Sequence, residues 1–211
     1  MSASLPLERH REAVAAARTA SLGMWIFLGS ELLFFGGLLM AYLYARTHWP
    51  QGFGQASART HVVLGTLNTG LLLTSSALVA LAVACQGPTG RGRWVPWLLG
   101  AGAALGTAFL AIKGWEYRSE WREGLFPGPG FALKAVAGAE LFFVLYLLLT
   151  GLHSVHLLVG VALLAAFGRG TWKKRAWAAP RRVEAAALYW HFVDVVWIFL
   201  YPLLYLVNRH G

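Results

Sequence analysis

Long apolar runs alternate with short polar segments along the whole chain. An α-helix needs about 20 apolar residues to cross roughly 30 Å of hydrocarbon, and five runs reach that length. They cover residues 22–44, 62–85, 95–117, 135–167 and 185–207. The pattern predicts an all-α membrane protein whose domain, residues 20–211, contains five transmembrane helices. The preceding residues 1–19 are polar and basic, and we expect them to form a short cytoplasmic segment on the membrane surface.

The segments between the spans predict the orientation of the chain. The first loop, residues 46–59, contains Pro50 and several glycines, which is typical of turns. Most Lys and Arg residues lie in the N-terminal segment and in the second and fourth loops, which five spans place on one side. Because basic residues concentrate in cytoplasmic loops, the N-terminus is expected to be cytoplasmic and the C-terminus periplasmic. We expect four residues near the fourth loop to contact lipid headgroups: Arg169, Lys173, Lys174 and Trp190.

Composition excludes several other classes of protein. With 57% hydrophobic residues, the chain is not a soluble domain. The net charge of +9 would suit nucleic acid, but the positive-inside rule and anionic lipids account for basic loops, so no nucleic-acid partner is expected. The single cysteine, Cys85, can form neither an internal disulfide nor a Cys-based metal cluster, and we expect it to be a small buried residue.

Ionisable residues inside the spans are the candidate functional residues. Helix rise from the cytoplasmic ends places Glu31 roughly 13 to 14 Å deep, Asp194 roughly 13 Å deep and His156 roughly 16 Å deep. A charged residue at the bilayer centre costs roughly 2.5 to 3.5 kcal/mol by insertion scales, so each group should face protein and have a partner. We therefore predict that Glu31 pairs with His156, and that His191 and Asp194 are satisfied nearby.

Spacing along the helices groups these residues further. His153 and His156 are three residues apart, as are His191 and Asp194, so the members of each pair are expected to share a helix face. Two roles for Glu31 fit its position equally well. It is either a structural carboxyl that joins two helices, or a site that handles protons or regulates lipid.

Other candidate sites are less specific. Lys113 and Glu116 have (i, i+3) spacing and are predicted to form an ion pair at the membrane interface. Three histidines lie within the spans, two of them on one helix, so no metal and no haem are expected in this chain. The sequence contains no Gly-rich phosphate loop, Ser-His-Asp order or metalloprotease motif, so no catalytic residue is predicted.

Five motifs, taken together, resemble subunit III of the haem-copper cytochrome c oxidases, in its five-helix bacterial form. They are M-W-I-F-L-G-S-E-L-L-F-F (24–35), L-N-T-G-L-L-L-T-S-S (67–76), K-G-W-E-Y (113–117), T-G-L-H-S-V-H-L-L-V-G (150–160) and Y-W-H-F-V-D-V-V-W-I-F-L-Y (189–201). They occur in the family order across essentially the whole chain, and the last two are the most specific.

The resemblance implies a V-shaped bundle in the bacterial inner membrane, with one group of two helices and one of the remainder. It implies a core subunit that is not an enzyme on its own, binds phospholipid and supports proton uptake and turnover stability in aerobic respiration. Glu31 matches the family's buried, carbodiimide-reactive glutamate. His153 and His156 match its paired histidines, and His191 with Asp194 matches its W-H-F-V-D motif.

The resemblance also implies the partners of this chain. Subunit I would contact it directly, subunit II would belong to the same proton-translocating complex, and a respiratory supercomplex is a further partner. Haem and copper would lie in the partner subunits, and structural phospholipids would be bound. Two alternatives stay open: the equivalent subunit of a quinol oxidase or of a nitric-oxide-reductase-associated protein, and a free-standing proton channel or small transporter.

Overall fold

The structure, a computed structural model, describes residues 6–86 and 92–207, with side chains from residue 22 onward. These residues form six α-helices. They are α1 (Pro6–His48), α2 (Pro50–Ala58), α3 (Val62–Ala84), α4 (Val95–Arg122), α5 (Ala139–Trp172) and α6 (Pro180–Tyr205). The side chains of segment 1–19, and the basic residues Arg91 and Arg209, lie outside the described set. The surface location of that segment therefore stays a prediction.

Five of these helices are long and apolar enough to cross a membrane, which confirms the predicted all-α, five-span fold. The predicted helix ends were less accurate than the spans. α4 continues to Arg122, α5 runs from Ala139 to Trp172, and α6 already begins at Pro180. Hydropathy marks the part of a helix that sits in hydrocarbon, whereas backbone hydrogen bonds continue the helix into the polar region.

The first loop contains a helix that the sequence did not predict. Instead of turns alone, residues Pro50–Ala58 form α2, in which proline occupies the first helical position, where its fixed φ favours helix initiation. Phe53 is fully buried and its ring contacts those of Tyr42 and Phe142. Ser57 donates a hydrogen bond to the carbonyl oxygen of Leu204 at 2.9 Å. The short helix therefore packs as part of the core.

The four helices α3 to α6 pack in a closed group, in which α3 contacts α4 and α6, and α5 contacts the same two helices. The first span, α1, lies against α5 and α6 and leaves most of its surface exposed. Tyr42 near its C-terminal end is fully buried and donates a hydrogen bond to the carbonyl oxygen of Leu203. The expected division into a group of two helices and a group of the remainder is therefore wrong: four of the described spans pack together, and α1 lies beside them.

Trp190 lies in the core of this group, so the prediction that it contacts lipid headgroups is wrong. Its side chain is fully buried between Gly106 of α4 and Gly160 of α5. A Cβ atom added to Gly106 would lie 2.5 Å from the indole, and one added to Gly160 would lie 2.8 Å from it. Two glycines therefore provide the space for a large ring, and this overrides the preference of Trp for membrane interfaces.

The other surface predictions had mixed outcomes. Cys85, expected to be buried, is exposed at the C-terminal cap of α3, because the helix ends there and the residue leaves the packed face. Arg169, Lys173 and Lys174 are exposed at the end of α5, where a headgroup could reach them. Their contact with lipid stays a prediction.

Candidate functional site

Glu31 and His156 join α1 to α5 inside the membrane, as predicted from their depth. Nε2 of His156 lies 3.0 Å from Oε2 of Glu31, and both side chains are about four-fifths buried. Nδ1 of the same ring lies 2.8 Å from the carbonyl oxygen of Leu152, one turn earlier on α5. Both ring nitrogens are therefore engaged, and the carboxyl group has the partner that its depth requires.

Aromatic groups surround this pair. The ring of Phe35, one turn after Glu31, contacts the His156 ring edge-on with centroids 5.2 Å apart. Tyr189 of α6 donates a hydrogen bond to the backbone carbonyl of His156 at 3.0 Å, and its ring contacts that of Phe27. The pair thus lies where α1, α5 and α6 meet.

Two apolar grooves flank α1 beside the pair. The α1–α6 groove is formed by one face of each helix: Trp25, Leu28, Leu32, Phe35 and Leu39 on α1, and Phe192, Val195, Val196 and Phe199 on α6. The α1–α5 groove lies between α1, α5 and the start of α6, and its lining includes Phe27, Leu163, Phe167, Tyr189 and Arg182. Arg182 is the one charged residue among those that line either groove.

His191 and Asp194 do not find their partners beside Glu31, so that part of the prediction is wrong. Nδ1 of His191 lies 2.7 Å from the hydroxyl of Ser76 on α3, and this hydroxyl is also close to the Asp194 carboxylate. Asp194 is buried, and neither oxygen has a hydrogen-bond partner among the described residues. The orientation of α6 directs both residues towards α3.

His153 likewise has a different environment from His156. Its ring is fully buried between Phe109 of α4 and Trp197 of α6, with centroid distances of 5.6 Å and 5.1 Å. Within the part of the chain that the structure describes, neither ring nitrogen has a hydrogen-bond partner. Side chains three positions apart point in directions that differ by about 60° around the helix axis. On α5, His153 therefore faces the centre of the bundle, whereas His156 faces α1.

A buried polar cluster lies in the other half of the bundle, and we name it the Lys113 cluster. It consists of Lys113, Glu116 and Glu120 of α4, Tyr146 of α5 and Tyr205 of α6. The ammonium of Lys113 donates to Glu116 Oε2 at 2.9 Å and to the hydroxyls of Tyr146 at 2.7 Å and Tyr205 at 2.6 Å. The predicted ion pair is therefore present, and both of its side chains are buried within the protein. Its position at the membrane interface stays a prediction.

Sequence reasoning missed Glu120 and the two tyrosines. The Tyr146 hydroxyl donates to Oε1 of Glu120 at 2.6 Å, and the Tyr205 hydroxyl donates to Oε2 of Glu116 at 3.0 Å. A signal for Glu120 was available, because the positions of Lys113, Glu116 and Glu120 follow the i, i+3, i+7 spacing of one helix face. The tyrosines lie on other helices, and nothing in their spacing identifies them.

Among the described residues, no three His, Cys, Asp or Glu side chains are grouped so that they could hold a metal ion. Two ion pairs lie among the buried ionisable residues: Glu31 with His156 between α1 and α5, and Lys113 with Glu116 on α4. The fold and these contacts define a class: a multi-pass helical membrane protein with ionisable side chains buried between its spans.

Comparison with known proteins identifies the family. The family model described as cytochrome c oxidase subunit III matches residues 7–208. The chain therefore belongs to the cytochrome c oxidase subunit III family, whose members are subunits of haem-copper oxidase complexes. This confirms the resemblance carried by the five motifs and the location in a membrane.

Individual relatives agree with this result. The chain is 32% identical to cytochrome c oxidase subunit 3 of Thermostichus vulcanus, over 89% of the chain and 87% of that relative. It is 30% identical to cytochrome c oxidase subunit 3 of Bacillus subtilis, over 90% and 87% respectively. It is also 32% identical to a "Heme-copper oxidase subunit I+III" of Aeropyrum pernix, over 87% of the chain and 22% of that larger protein.

Proposed function

We propose that this chain is the non-catalytic subunit III of a bacterial cytochrome c oxidase, that it packs directly on subunit I, and that its Glu31–His156 pair supports proton uptake. The observation that carries the proposal is the position of this pair. Its two ionisable side chains meet between α1 and α5 inside the membrane. The proposed location is the bacterial inner membrane, with the N-terminus cytoplasmic, as the basic loops favour.

The name of the fused Aeropyrum relative supports the proposed contact with subunit I. In that protein, a region similar to this chain belongs to a "subunit I+III". Fusion is compatible with function only where the two parts can lie side by side. Haem, copper and the oxygen chemistry would then belong to subunits I and II, and a supercomplex would add further partners.

Purification of the full chain through a tag tests the assembly. We expect a haem-containing subunit to co-purify, together with oxygen-reducing activity with cytochrome c as the electron donor. Activity with quinol alone would instead indicate the quinol-oxidase alternative. Recovery of the chain alone, with proton conductance in liposomes, would contradict the proposal and favour a free-standing channel.

Hydrogen bonding around His156 supports a proton-related role for the pair. The Leu152 carbonyl can only accept, so Nδ1 of His156 carries a hydrogen atom. The contact between Nε2 and Glu31 then needs one further proton, which is either on the imidazole or on the carboxyl group. Transfer between the two atoms requires no movement of either side chain, so the pair can exchange a proton at fixed geometry.

The two grooves beside α1 support phospholipid binding. Their walls are apolar, which suits acyl chains, and Arg182 lines the α1–α5 groove close to the basic segment that follows α5. A guanidinium group at this position matches an anionic headgroup. Bound lipid would then fix the position of α1, which the protein itself holds through α5 and α6.

Replacing Glu31 separates proton supply from oxygen reduction. In the purified complex, we expect Glu31→Gln and Glu31→Ala to retain the initial rate of oxygen consumption but to lose activity several-fold faster during turnover. Glu31 lies outside the catalytic subunit, so the chemistry should persist while proton delivery becomes irregular. Progress curves of oxygen consumption measure both quantities.

Serine at position 30 provides a matched control for this test. Its side chain is exposed, and among the described residues it donates a hydrogen bond to the carbonyl oxygen of Phe27 on its own helix. We expect Ser30→Ala to follow the wild-type progress curve. Equal lifetimes for the Glu31 variants and the wild type would refute the proposed role of the pair.

A further inference from the structure

The Lys113 cluster is built from three side chains that can carry charge and two tyrosines, all of them buried. The residues Lys113, Glu116 and Glu120 are at most 1% exposed, and Tyr146 and Tyr205 are fully buried. Bulk solvent therefore does not reach these side chains. The balance of charge and of hydrogen bonds has to be reached within the cluster itself.

The hydrogen bonds leave one carboxyl oxygen unpaired on each glutamate. Lys113 uses all three of its N–H donors, on Glu116 Oε2 and on the two tyrosine hydroxyls. Each tyrosine hydroxyl donates a hydrogen bond to a carboxyl oxygen. Glu116 Oε1 and Glu120 Oε2 remain buried with no hydrogen-bond partner among the described residues.

The charges do not balance if both carboxyl groups are ionised. One ammonium would face two carboxylates, which leaves a net charge of about −1 in a buried site. Among the described side chains, no second cation lies within ion-pair distance of Glu116 or Glu120. An isolated buried carboxylate costs far more than its protonation, so such a group becomes neutral.

We infer that Glu116 and Glu120 of the Lys113 cluster form a proton-binding site that holds one proton between them. Glu116 has the direct ion pair with Lys113 and is the ionised member. Glu120 receives only the tyrosine hydroxyl and carries the proton on Oε2, its unpaired oxygen. Because the two residues are one helical turn apart, a rotation of these side chains brings that O–H to Glu116 Oε1, the other unpaired oxygen.

Further polar groups lie around the cluster on α4, on α5 and at the start of α3. On α4, the ring of Tyr117 lies 4.9 Å from the Lys113 ammonium, and its hydroxyl bonds to Thr150 of α5 at 2.5 Å. Glu123, at the C-terminal cap of α4, is exposed and lies 3.6 Å from His61 at the start of α3. Glu123 thus places an exposed carboxyl group one turn beyond Glu120.

Infrared spectroscopy of the purified protein, with the subunits that accompany it, tests the inference. The carbonyl stretch of a protonated carboxylic acid is separate from that of a carboxylate. We expect Glu120→Gln to remove one protonated-acid band from the wild-type spectrum. We expect Glu116→Gln to remove the same band, because Glu120 alone then balances Lys113 and ionises.

The control is Glu123→Gln, which replaces the exposed carboxylate and should leave that band in place. A band that persists in Glu116→Gln would overturn the sharing of one proton, since Glu120 would then be neutral irrespective of Glu116. A wild-type spectrum that Glu120→Gln does not change would overturn the site altogether.

Recovery of the variants provides a second test. Glutamine has the shape of a protonated glutamate and keeps the acceptor for Tyr146, so Glu120→Gln should be recovered like the wild type. If the Glu120→Gln protein cannot be purified while the Glu116→Gln protein is recovered normally, then Glu120 is the charged partner of Lys113. This result would overturn the assignment.

Discussion

Replacing Lys113 with methionine is expected to lower the free energy of unfolding by about 3–5 kcal/mol, the range found when one partner of a buried ion pair is removed. Methionine is similar in length but has no charge and no N–H donor. Glu116 would lose its ion pair, and two tyrosine hydroxyls would lose their donor. Thermal unfolding of the purified protein, followed by tryptophan fluorescence, measures the loss.

A control and a rescue make this prediction specific. Lys173 is exposed at the end of α5, so Lys173→Met should change the unfolding free energy by less than about 0.5 kcal/mol. Adding Glu116→Gln to Lys113→Met removes the charge left behind and should restore a large part of the stability. A double variant no more stable than Lys113→Met would contradict the electrostatic explanation.

Introducing one methyl group at Gly106 is expected to destabilise the protein by about 1–3 kcal/mol, as overpacking of a core does. The new Cβ would lie 2.5 Å from Cη2 of Trp190 and 2.8 Å from Cγ2 of Val161. Trp190 cannot move far, because it also lies close to Gly160 on α5. Gly106→Ala should therefore lower the midpoint of thermal unfolding.

Gly114 is the matched control on the same helix. A Cβ there meets nothing within 4 Å, so Gly114→Ala adds helix propensity without overpacking and should not lower the midpoint. Combining Gly106→Ala with Trp190→Phe provides space for the methyl group and should recover part of the loss. If Gly114→Ala and Gly106→Ala have equal effects, the close packing around Trp190 is not the cause.

The contacts that were predicted correctly depend on distances that are set by the geometry of a helix and the thickness of the membrane. Hydrocarbon thickness sets the length of a span, so five apolar runs predicted five helices. The rise per residue of a helix sets the depth of each side chain in the membrane. Glu31 and His156 could therefore be predicted to pair although they lie on different helices. The ion pair of Lys113 and Glu116 followed from spacing on one helix.

The errors arise where the rotation of helices and the identity of their neighbours decide the outcome. Depth alone did not show that His191 and Asp194 face α3, where Ser76 lies. The interface preference of Trp did not predict that Trp190 fits between Gly106 and Gly160. Pro50, at the start of α2, was taken to indicate a turn. The neighbouring sequence did not show that Phe53 is buried against two other helices.

The pairing of the first span with the fifth helix has a consequence for biogenesis. Glu31 and His156 are 125 positions apart, so α1 is synthesised and inserted well before its partner exists. During that interval, the apolar remainder of α1 has to compensate an unpaired carboxyl group that costs roughly 2.5 to 3.5 kcal/mol on insertion scales. Exposed large residues such as Trp25, Leu32 and Leu33 supply that hydrophobicity. Their exposed positions thus serve the insertion of the nascent chain as well as the finished fold.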